Sequence, residues 1–266
     1  MGRQERGTTL RFMRVHVVSD VHGRVDALRR ARDGADVLVC LGDLLLFVDY
    51  ADHRAGIMGE LFGAEAVGRY VALRNEQRFD EARTFSRGLW AGLEDAPGAI
   101  QRVVRRQYAN ILAAMPTPAF LTFGNVDVPH LLPEFLREGV RLLDGEVVEI
   151  GGRTFGFVGG GLRTPMRTPY EISDADYAAK VAAVGAVDVL CCHIPPALPE
   201  LTYDVVARRF ERGSEQVLDA IRDTQPRMVL FGHVHQPLQR RIRIGRTECV
   251  NVGHFRGLGR PYALEW

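Results

Sequence analysis

Short apolar runs recur along the chain and alternate with helix-like stretches through much of its length. The run at 36–41 is almost continuously apolar, as expected of a strand that is buried on both faces. Near the end of the chain apolar and polar positions alternate, which favours antiparallel strands with a turn near Gly245. The pattern predicts strands at 14–19, 36–41, 119–123, 140–149, 153–158, 187–192, 228–231, 238–244, 247–252 and 261–265, and helices at 24–32, 128–138, 173–184 and 213–223. It indicates an α/β protein with either one mixed sheet or two packed sheets.

Residues 52–115 interrupt this alternation, because they carry almost no strand signal but many Ala, Leu, Arg, Glu and Gln residues. The segment is too long for an ordinary connection and must hold its own structure. We expect a helical insertion beside or over the functional site, with a structural buttress or a dimerisation surface as alternatives. Residues 1–12 are expected to be a mobile leader or a misassigned start, and 13–266 one domain that includes the insertion.

Composition limits the classes of function. With 266 residues, 46% of them hydrophobic, the chain can bury one large core. A net charge of +1, from 34 basic and 33 acidic residues, gives no bulk attraction to nucleic acid or anionic lipid. No apolar run approaches the roughly 18 residues that span a membrane, and the first residues lack the apolar centre of a signal peptide, so a cytoplasmic protein is expected. The four cysteines form no C-x-x-C pair and are expected to be buried thiols.

Five short polar blocks stand where an apolar strand ends and a loop begins. Loops at the strand ends of an α/β sheet converge on one crevice, which is where such sheets bind ligands. Carboxylate, imidazole and amide oxygen are donors that divalent cations accept together, and a carboxylate can bridge two ions roughly 3.5–4 Å apart. The blocks contain Asp20 and His22, then Asp43, then Asn125 and Asp127, then His193, and finally His233 and His235.

The series D-x-H, G-D, G-N-x-D, H and G-H-x-H resembles that of the calcineurin-like metallophosphoesterase superfamily. The resemblance implies a four-layer αββα sandwich of two mixed sheets with a helical insertion. It also implies a binuclear metal-dependent phosphoesterase, in which a metal-bound hydroxide attacks a small phosphoester, with phosphodiesters and nucleotides foremost. Its ligands would be Asp20, His22 and His235 for one ion and Asn125, His193 and His233 for the other, with Asp43 bridging. Two Mn²⁺ ions are the first expectation, and Fe, Zn or Co would also fit these donors.

One position departs from the family pattern. Val126 stands where the family often has a histidine that serves as general acid or transition-state stabiliser. Substrates with good leaving groups are therefore expected to be favoured. His254, in a turn that resembles one near the metals of bacterial relatives, is a candidate replacement; the alternative is an ordinary surface histidine. Asp127 is expected to orient a metal ligand, or to cap the helix predicted at 128–138.

Arg163 and Arg167 follow a run of three glycines and are candidates for binding the substrate phosphate. The alternative is a flexible loop without contact to substrate. Two other functions stay open: a non-catalytic scaffold with the same fold, and a protein phosphatase, although the G-D-x-V-D-R-G and G-N-H-E blocks of that branch are missing. A small phosphoester is the expected binding partner, and binding to nucleic acid or to a membrane is not expected. The oligomeric state is open, and a homo-oligomer is one alternative.

Overall fold

Two mixed β-sheets lie face to face in the structure, a computed structural model that describes residues 12–164 and 168–266. The strands are β1 Arg14–Val18, β2 Val37–Cys40, β3 Ala119–Leu121, β4 Val140–Leu142, β5 Glu146–Ile150, β6 Arg153–Val158, β7 Gly161–Leu162, β8 Glu171–Ile172, β9 Val189–Cys192, β10 Tyr203–Asp204, β11 Arg209–Phe210, β12 Met228–Phe231, β13 Arg241–Ile244, β14 Thr247–Asn251 and β15 Tyr262–Glu265. The helices are α1 Val25–Leu28, α2 Gly56–Asn75, α3 Phe79–Ala91, α4 Ala96–Ala114, α5 Asp174–Val184, α6 Pro199–Thr202, α7 Glu215–Thr224 and α8 Phe255–Leu258, with a 3₁₀ helix at Leu132–Phe135.

Each sheet is parallel in its middle and antiparallel at an edge. The first sheet has the order β15-β1-β2-β3-β4, in which only the pairing of β15 with β1 is antiparallel. The second has the order β13-β14-β12-β9-β6-β5, with antiparallel pairs at both edges. The parallel strands all send their carboxyl ends to the same edge of their sheet, which is where the predicted polar blocks lie.

Successive side chains of each central strand enter different hydrophobic layers. In β2, Val37 and Val39 point between the two sheets, whereas Leu38 and Cys40 pack on the outer face under helices α1 and α4. In β9, Cys191 lies between the sheets and Cys192 packs toward α5 and α7. The layers are therefore helix, sheet, sheet and helix, and the predicted αββα sandwich is confirmed.

Three predicted elements differ most from the structure, one of them the helix predicted at 24–32, of which only Val25–Leu28 is helical. The run 140–149 is two strands, β4 and β5, which belong to different sheets because the chain turns at Gly145 with φ +68°. The helix predicted at 128–138 is only the 3₁₀ helix Leu132–Phe135. Prolines at 129 and 133 explain this, since proline cannot donate a backbone hydrogen bond inside a helix.

The segment predicted as a helical insertion contains α2, α3 and α4. The backbone of α2 leaves helical geometry at Gly63, where φ is +79°. The last of these helices is part of the main core, because Tyr108, Ile111 and Leu112 of α4 pack in the same buried cluster as the outer face of the first sheet. One end of the insertion is thus fixed beside the strands that carry the site.

The four cysteines are free and buried, as expected. Within the described part of the chain, no helix combines the length and the apolar character needed to cross a membrane.

Candidate metal centre

Seven side chains from five separate loops converge at the carboxyl ends of the strands. The loops follow β1, β2, β3, β9 and β12. Donor atoms of Asp20, Asp43 and His193 lie within 4.8 Å of one another, as do those of His22, His235 and His254. The sequence motifs are therefore brought together in one site.

On one side of the site, two imidazoles face a carboxylate. His22 Nε2 lies 3.3 Å from His235 Nε2, and His235 Nε2 lies 3.5 Å from Asp20 Oδ1. The other ring nitrogen of His22, Nδ1, is 2.8 Å from the carbonyl oxygen of Leu45. Because that contact requires Nδ1–H as donor, the Nε2 lone pair of a neutral His22 faces the site.

On the other side, an amide oxygen meets two further imidazoles. Asn125 Oδ1 lies 3.1 Å from His193 Nε2 and 2.9 Å from His233 Nδ1. His193 Nδ1 is 3.0 Å from the carbonyl oxygen of Leu41, which directs Nε2 of this fully buried ring toward Asn125. Among the residues that the structure describes, the buried Nε2 of His233 has no hydrogen-bond partner.

Asp43 lies between the two sides. Its Oδ1 is 3.4 Å from His193 Nε2 and its Oδ2 is 3.9 Å from His22 Nε2. The backbone N–H of Val126 also donates to Oδ1 at 3.1 Å. The carboxylate of Asp43 thus lies between His193 and His22; that it bridges two ions stays a prediction.

Glycines allow the loops to approach so closely. At Gly42 φ is +97°, and a Cβ there would overlap the backbone of Phe123 and Gly124. A Cβ at Gly124 would overlap the carboxylate of Asp43. The G-D and G-N blocks need these glycines because the bridging carboxylate fills the space between the two loops.

Buried charges shift the pKa values of the site in opposite directions. Burial raises the pKa of Asp43, but His193 and His22 lower it by more, to about 2. Burial likewise raises the pKa of Asp20, and its contact with His235 more than reverses this. Burial lowers the pKa of His193, whereas Asp43 and Asp20 raise it to about 9. The metal-free site therefore holds ionised carboxylates against a protonated His193 at neutral pH.

Asp127 lies under the site and binds the backbone of two ligand loops. Its carboxylate accepts hydrogen bonds from the N–H groups of Leu44 at 3.0 Å, Leu45 at 3.3 Å and Gly124 at 2.9 Å, and from Tyr108 OH at 3.4 Å. These donors precede Asp127 in the chain, so it is not the cap of a following helix. The predicted orienting role fits this placement, since the loops that it binds carry Asp43 and Asn125.

His254 is a neighbour of the predicted ligands. Its ring stacks on that of His235 with a centroid distance of 3.9 Å and an angle of 3°. An isolated bridge to Ser19 places it beside the end of β1. Burial and His235 lower its pKa to about 3, so the ring is neutral at neutral pH. Its Nε2 has no hydrogen-bond partner within the described part of the chain. The surface-loop alternative does not describe this half-buried position.

Of the two predicted substrate arginines, the structure describes only Arg163. Arg163 is exposed directly after β7, and its backbone N–H donates to Ile172 at 3.2 Å. Arg167 lies outside the described residues. Val126 is partly buried and packs against the core under the first sheet.

Several residues at the site have no signature in the sequence. Arg256 forms an ion pair with buried Asp49, and its Nη1 donates to the carbonyl oxygen of His22 at 2.6 Å. Thr168 Oγ1 accepts a hydrogen bond from Asn125 Nδ2 at 2.9 Å. In each contact a residue that belongs to no motif binds a motif residue far away in the chain, so only the folded structure reveals the pair.

The donors present fit divalent metal ions. Three buried carboxylates, Asp20, Asp43 and Asp127, lie in or under the site, and buried negative charge requires compensation by cations or hydrogen bonds. His193 Nε2 and His233 Nδ1 both face the amide oxygen of Asn125, so three donor atoms converge on one point. Imidazole, carboxylate and amide oxygen together suit Mn²⁺, Fe, Zn²⁺ and Co²⁺.

Comparison with known proteins finds a matching sequence family and structures of similar fold. The sequence matches the family model for calcineurin-like phosphoesterases over residues 13–237. One crystal structure is similar with a TM-score of 0.63 at 16% identity, covering 96% of this chain and 95% of the other. The protein TT1561 of Thermus thermophilus is similar with a TM-score of 0.54 at 15% identity, covering 96% and 99%. At these identities the two structures show the fold alone. No curated protein matches the sequence significantly.

Proposed function

The chain belongs to the calcineurin-like phosphoesterase family, and from this premise we propose that it hydrolyses a small phosphoester, a phosphodiester first of all, with two divalent metal ions. The convergence of seven donor side chains from five loops is the observation that supports the proposal best. A fold that had become a non-catalytic scaffold would have no need to keep such a set of buried charges, whose assembly costs free energy.

The proposed ligands divide into two sets that share one carboxylate. The two oxygens of Asp43 face opposite sets, since Oδ1 lies near His193 and Oδ2 near His22. Ions bound there would supply Lewis acidity toward the phosphoryl oxygens and lower the pKa of water. The sets are Asp20, His22 and His235 on one side and Asn125, His193 and His233 on the other. Mn²⁺ is the proposed metal.

The remaining side chains bear on the substrate and the leaving group. His254 is proposed to donate a hydrogen bond from its unpartnered Nε2 to a substrate oxygen, next to the ligand His235. Val126 offers no proton to a leaving group. Esters whose leaving group needs little protonation are therefore expected to react best. Arg163 and Arg167, which follow the run of three glycines, are proposed contacts for the substrate phosphate.

The decisive experiment is an assay of phosphomonoesters, linear phosphodiesters and cyclic nucleotides with Mn²⁺. Asp43→Ala removes the shared carboxylate and should abolish every activity and reduce the metal content of the purified protein. Asp80→Ala is the matched control, because its side chain is 91% exposed on α3. Activity that Asp43→Ala retains in full, or that survives complete removal of metal by a chelator, would show that the proposal is wrong.

The same panel, extended by a phosphoprotein substrate, separates the competing functions. A scaffold would bind partners without turnover and would tolerate chelation, and a protein phosphatase would prefer phosphoprotein to the small esters. A small phosphoester is the proposed partner. The cytoplasmic location and the absence of nucleic-acid and membrane partners stay predictions, and the oligomeric state, a homo-oligomer included, stays open.

A further inference from the structure

The side-chain amide of Asn125 can take two orientations of almost equal shape. Only its oxygen can ligate a cation, since the NH₂ group is a donor with no free electron pair. In the structure Oδ1 points toward His193 and His233, and Nδ2 points away from them, 2.9 Å from Thr168 Oγ1. A contact of the amide must therefore favour the orientation with Oδ1 toward the two histidines over the flipped one.

Thr168 can make the selection only if its own proton is engaged elsewhere. A hydroxyl group can donate to an amide oxygen or accept from an amide NH₂, so alone it would tolerate either orientation. Thr168 Oγ1 lies 2.7 Å from Glu171 Oε1, and an ionised carboxylate accepts only. The proton of Thr168 is thereby directed to Glu171, which leaves its oxygen to accept from Asn125.

Glu171 is itself held in place. It pairs with Gly161 in the short parallel ladder of β7 and β8, and its carboxylate also accepts from the backbone N–H of Thr168 at 3.0 Å. Thr164 donates to the same carboxylate from its N–H and its hydroxyl, each at 2.7 Å. Four donors thus keep the acceptor fixed.

The backbone around Asn125 is bound to the same loop. The N–H of Tyr170 donates to the carbonyl oxygen of Asn125 at 2.9 Å. A Cβ at Gly161 would lie 2.6 Å from Asn125 Cβ, so strand β7 packs directly on this side chain. The amide can therefore rotate about its last bond but cannot move away from Thr168.

We propose that Thr168 and Glu171 are positioning residues that hold the Asn125 amide with its oxygen toward His193 and His233. The inference rests on the proposed function, in which these three side chains bind one of the two ions. Loss of such an outer partner typically weakens metal binding about 10–100-fold. Because the other ion has its own ligands, the effect should be confined to one of two sites.

The test is calorimetric titration of the metal-free protein with Mn²⁺, combined with metal analysis of the loaded protein. Thr168→Val keeps the shape but removes the acceptor, whereas Thr168→Ser keeps the hydroxyl and should bind like the parent. Glu171→Gln introduces an NH₂ group that can donate to Thr168, which frees the hydroxyl proton to face Asn125. We expect the Mn²⁺ affinity of one of the two sites to fall about 10–100-fold in Thr168→Val. Glu171→Gln should lower the affinity of the same site.

The outcomes separate this inference from the function on which it rests. A parent protein that binds no Mn²⁺ would overturn both. A parent that binds two ions while Thr168→Val binds them equally well would overturn the positioning role alone. Equal weakening of both sites, or failure of Thr168→Ser to restore binding, would also overturn it, because either result indicates general damage to the loop.

Discussion

Replacing Asp127 by Asn tests whether the buried carboxylate under the site holds the ligand loops together. An Asn side chain has one acceptor oxygen where Asp127 has two. Its best orientation keeps the oxygen toward Leu44, Leu45 and Tyr108, whose contacts converge on Oδ1. The NH₂ group then faces the buried N–H of Gly124, which lies 2.9 Å from Oδ2 in the parent. Two donors oppose each other, and one buried N–H loses its acceptor.

The structure gives the size of this effect. A buried donor left unsatisfied costs about 1–3 kcal/mol. For a chain of this size each kcal/mol shifts the midpoint of thermal unfolding by about 2–4 °C, so Asp127→Asn should unfold about 2–12 °C below the parent. Since Gly124 precedes the ligand Asn125, Mn²⁺ binding should weaken as well.

Thermal unfolding at pH 8 is the assay. Burial and the neighbouring Asp43 raise the pKa of Asp127 to about 7, so at pH 8 the carboxylate form predominates, but in metal-free protein Asn would relieve this burial and repulsion. The midpoints are therefore compared for Mn²⁺-loaded proteins, in which cations beside Asp43 would offset the repulsion. Asp95→Asn is the matched control: Asp95 is exposed and accepts from the N–H of Gly98 at the start of α4, where Asn is as good a cap. An Asp127→Asn midpoint equal to that of the parent would refute the argument that these donors require two acceptor oxygens.

Three further predictions concern the charges and the close packing of the site. Burial lowers the pKa of His193, but Asp43 raises it by more, to about 9, so Mn²⁺ binding at pH 7 should release a proton. Calorimetry in two buffers of different ionisation enthalpy measures this release. Equal binding heats in the two buffers would contradict the prediction. Burial raises the pKa of Asp49, but backbone N–H groups and its arginine partner lower it by more. Asp49 therefore stabilises the fold at pH values above its unfolded pKa of about 4, and this stabilisation is lost as the pH falls through its lower pKa in the folded state. Asp49→Asn should lower the midpoint of thermal unfolding at pH 7 but not at pH 2. An equal decrease in the midpoint at both pH values would exclude this linkage. Gly124→Ala should abolish metal binding, because the new methyl group would overlap the carboxylate of Asp43. The control is Gly88→Ala, in open space within α3, which should stabilise the fold by about 0.5–1 kcal/mol. A Gly124→Ala protein that binds metal would disprove the packing argument.

The sequence predicts the strands and the polar blocks well because both depend on local pattern. A central strand such as β9 must be apolar on both faces, and the residue after it, His193, then stands out as polar. Where local pattern and three-dimensional context disagree, the prediction fails. The run 140–149 is continuous in apolar character, yet the chain crosses from one sheet to the other within it, at Gly145.

Contacts between distant segments account for what the sequence does not show. Tyr108 on α4 donates to Asp127, and Thr168 accepts from Asn125, but neither residue belongs to a motif. Each of these pairs depends on the path of a long connection, which composition and periodicity do not specify. The polar residues that converge, Asp127 among them, could therefore be named from the sequence, whereas Tyr108 and Thr168 could not.

Backbone strain explains why those orienting contacts are needed. Asp20, His22, Asp43 and His233 have φ values of +57°, +41°, +51° and +66°, a region that costs a residue other than glycine about 1–3 kcal/mol. Such residues persist only where their surroundings hold them. Here the loops hold one another: the N–H of His22 donates to the carbonyl oxygen of Asp43 at 2.9 Å, and that of His233 donates to the Asp20 carboxylate at 3.1 Å. The ligand loops therefore form one interlocked unit, in which a change in one loop alters the geometry of ligands in the others.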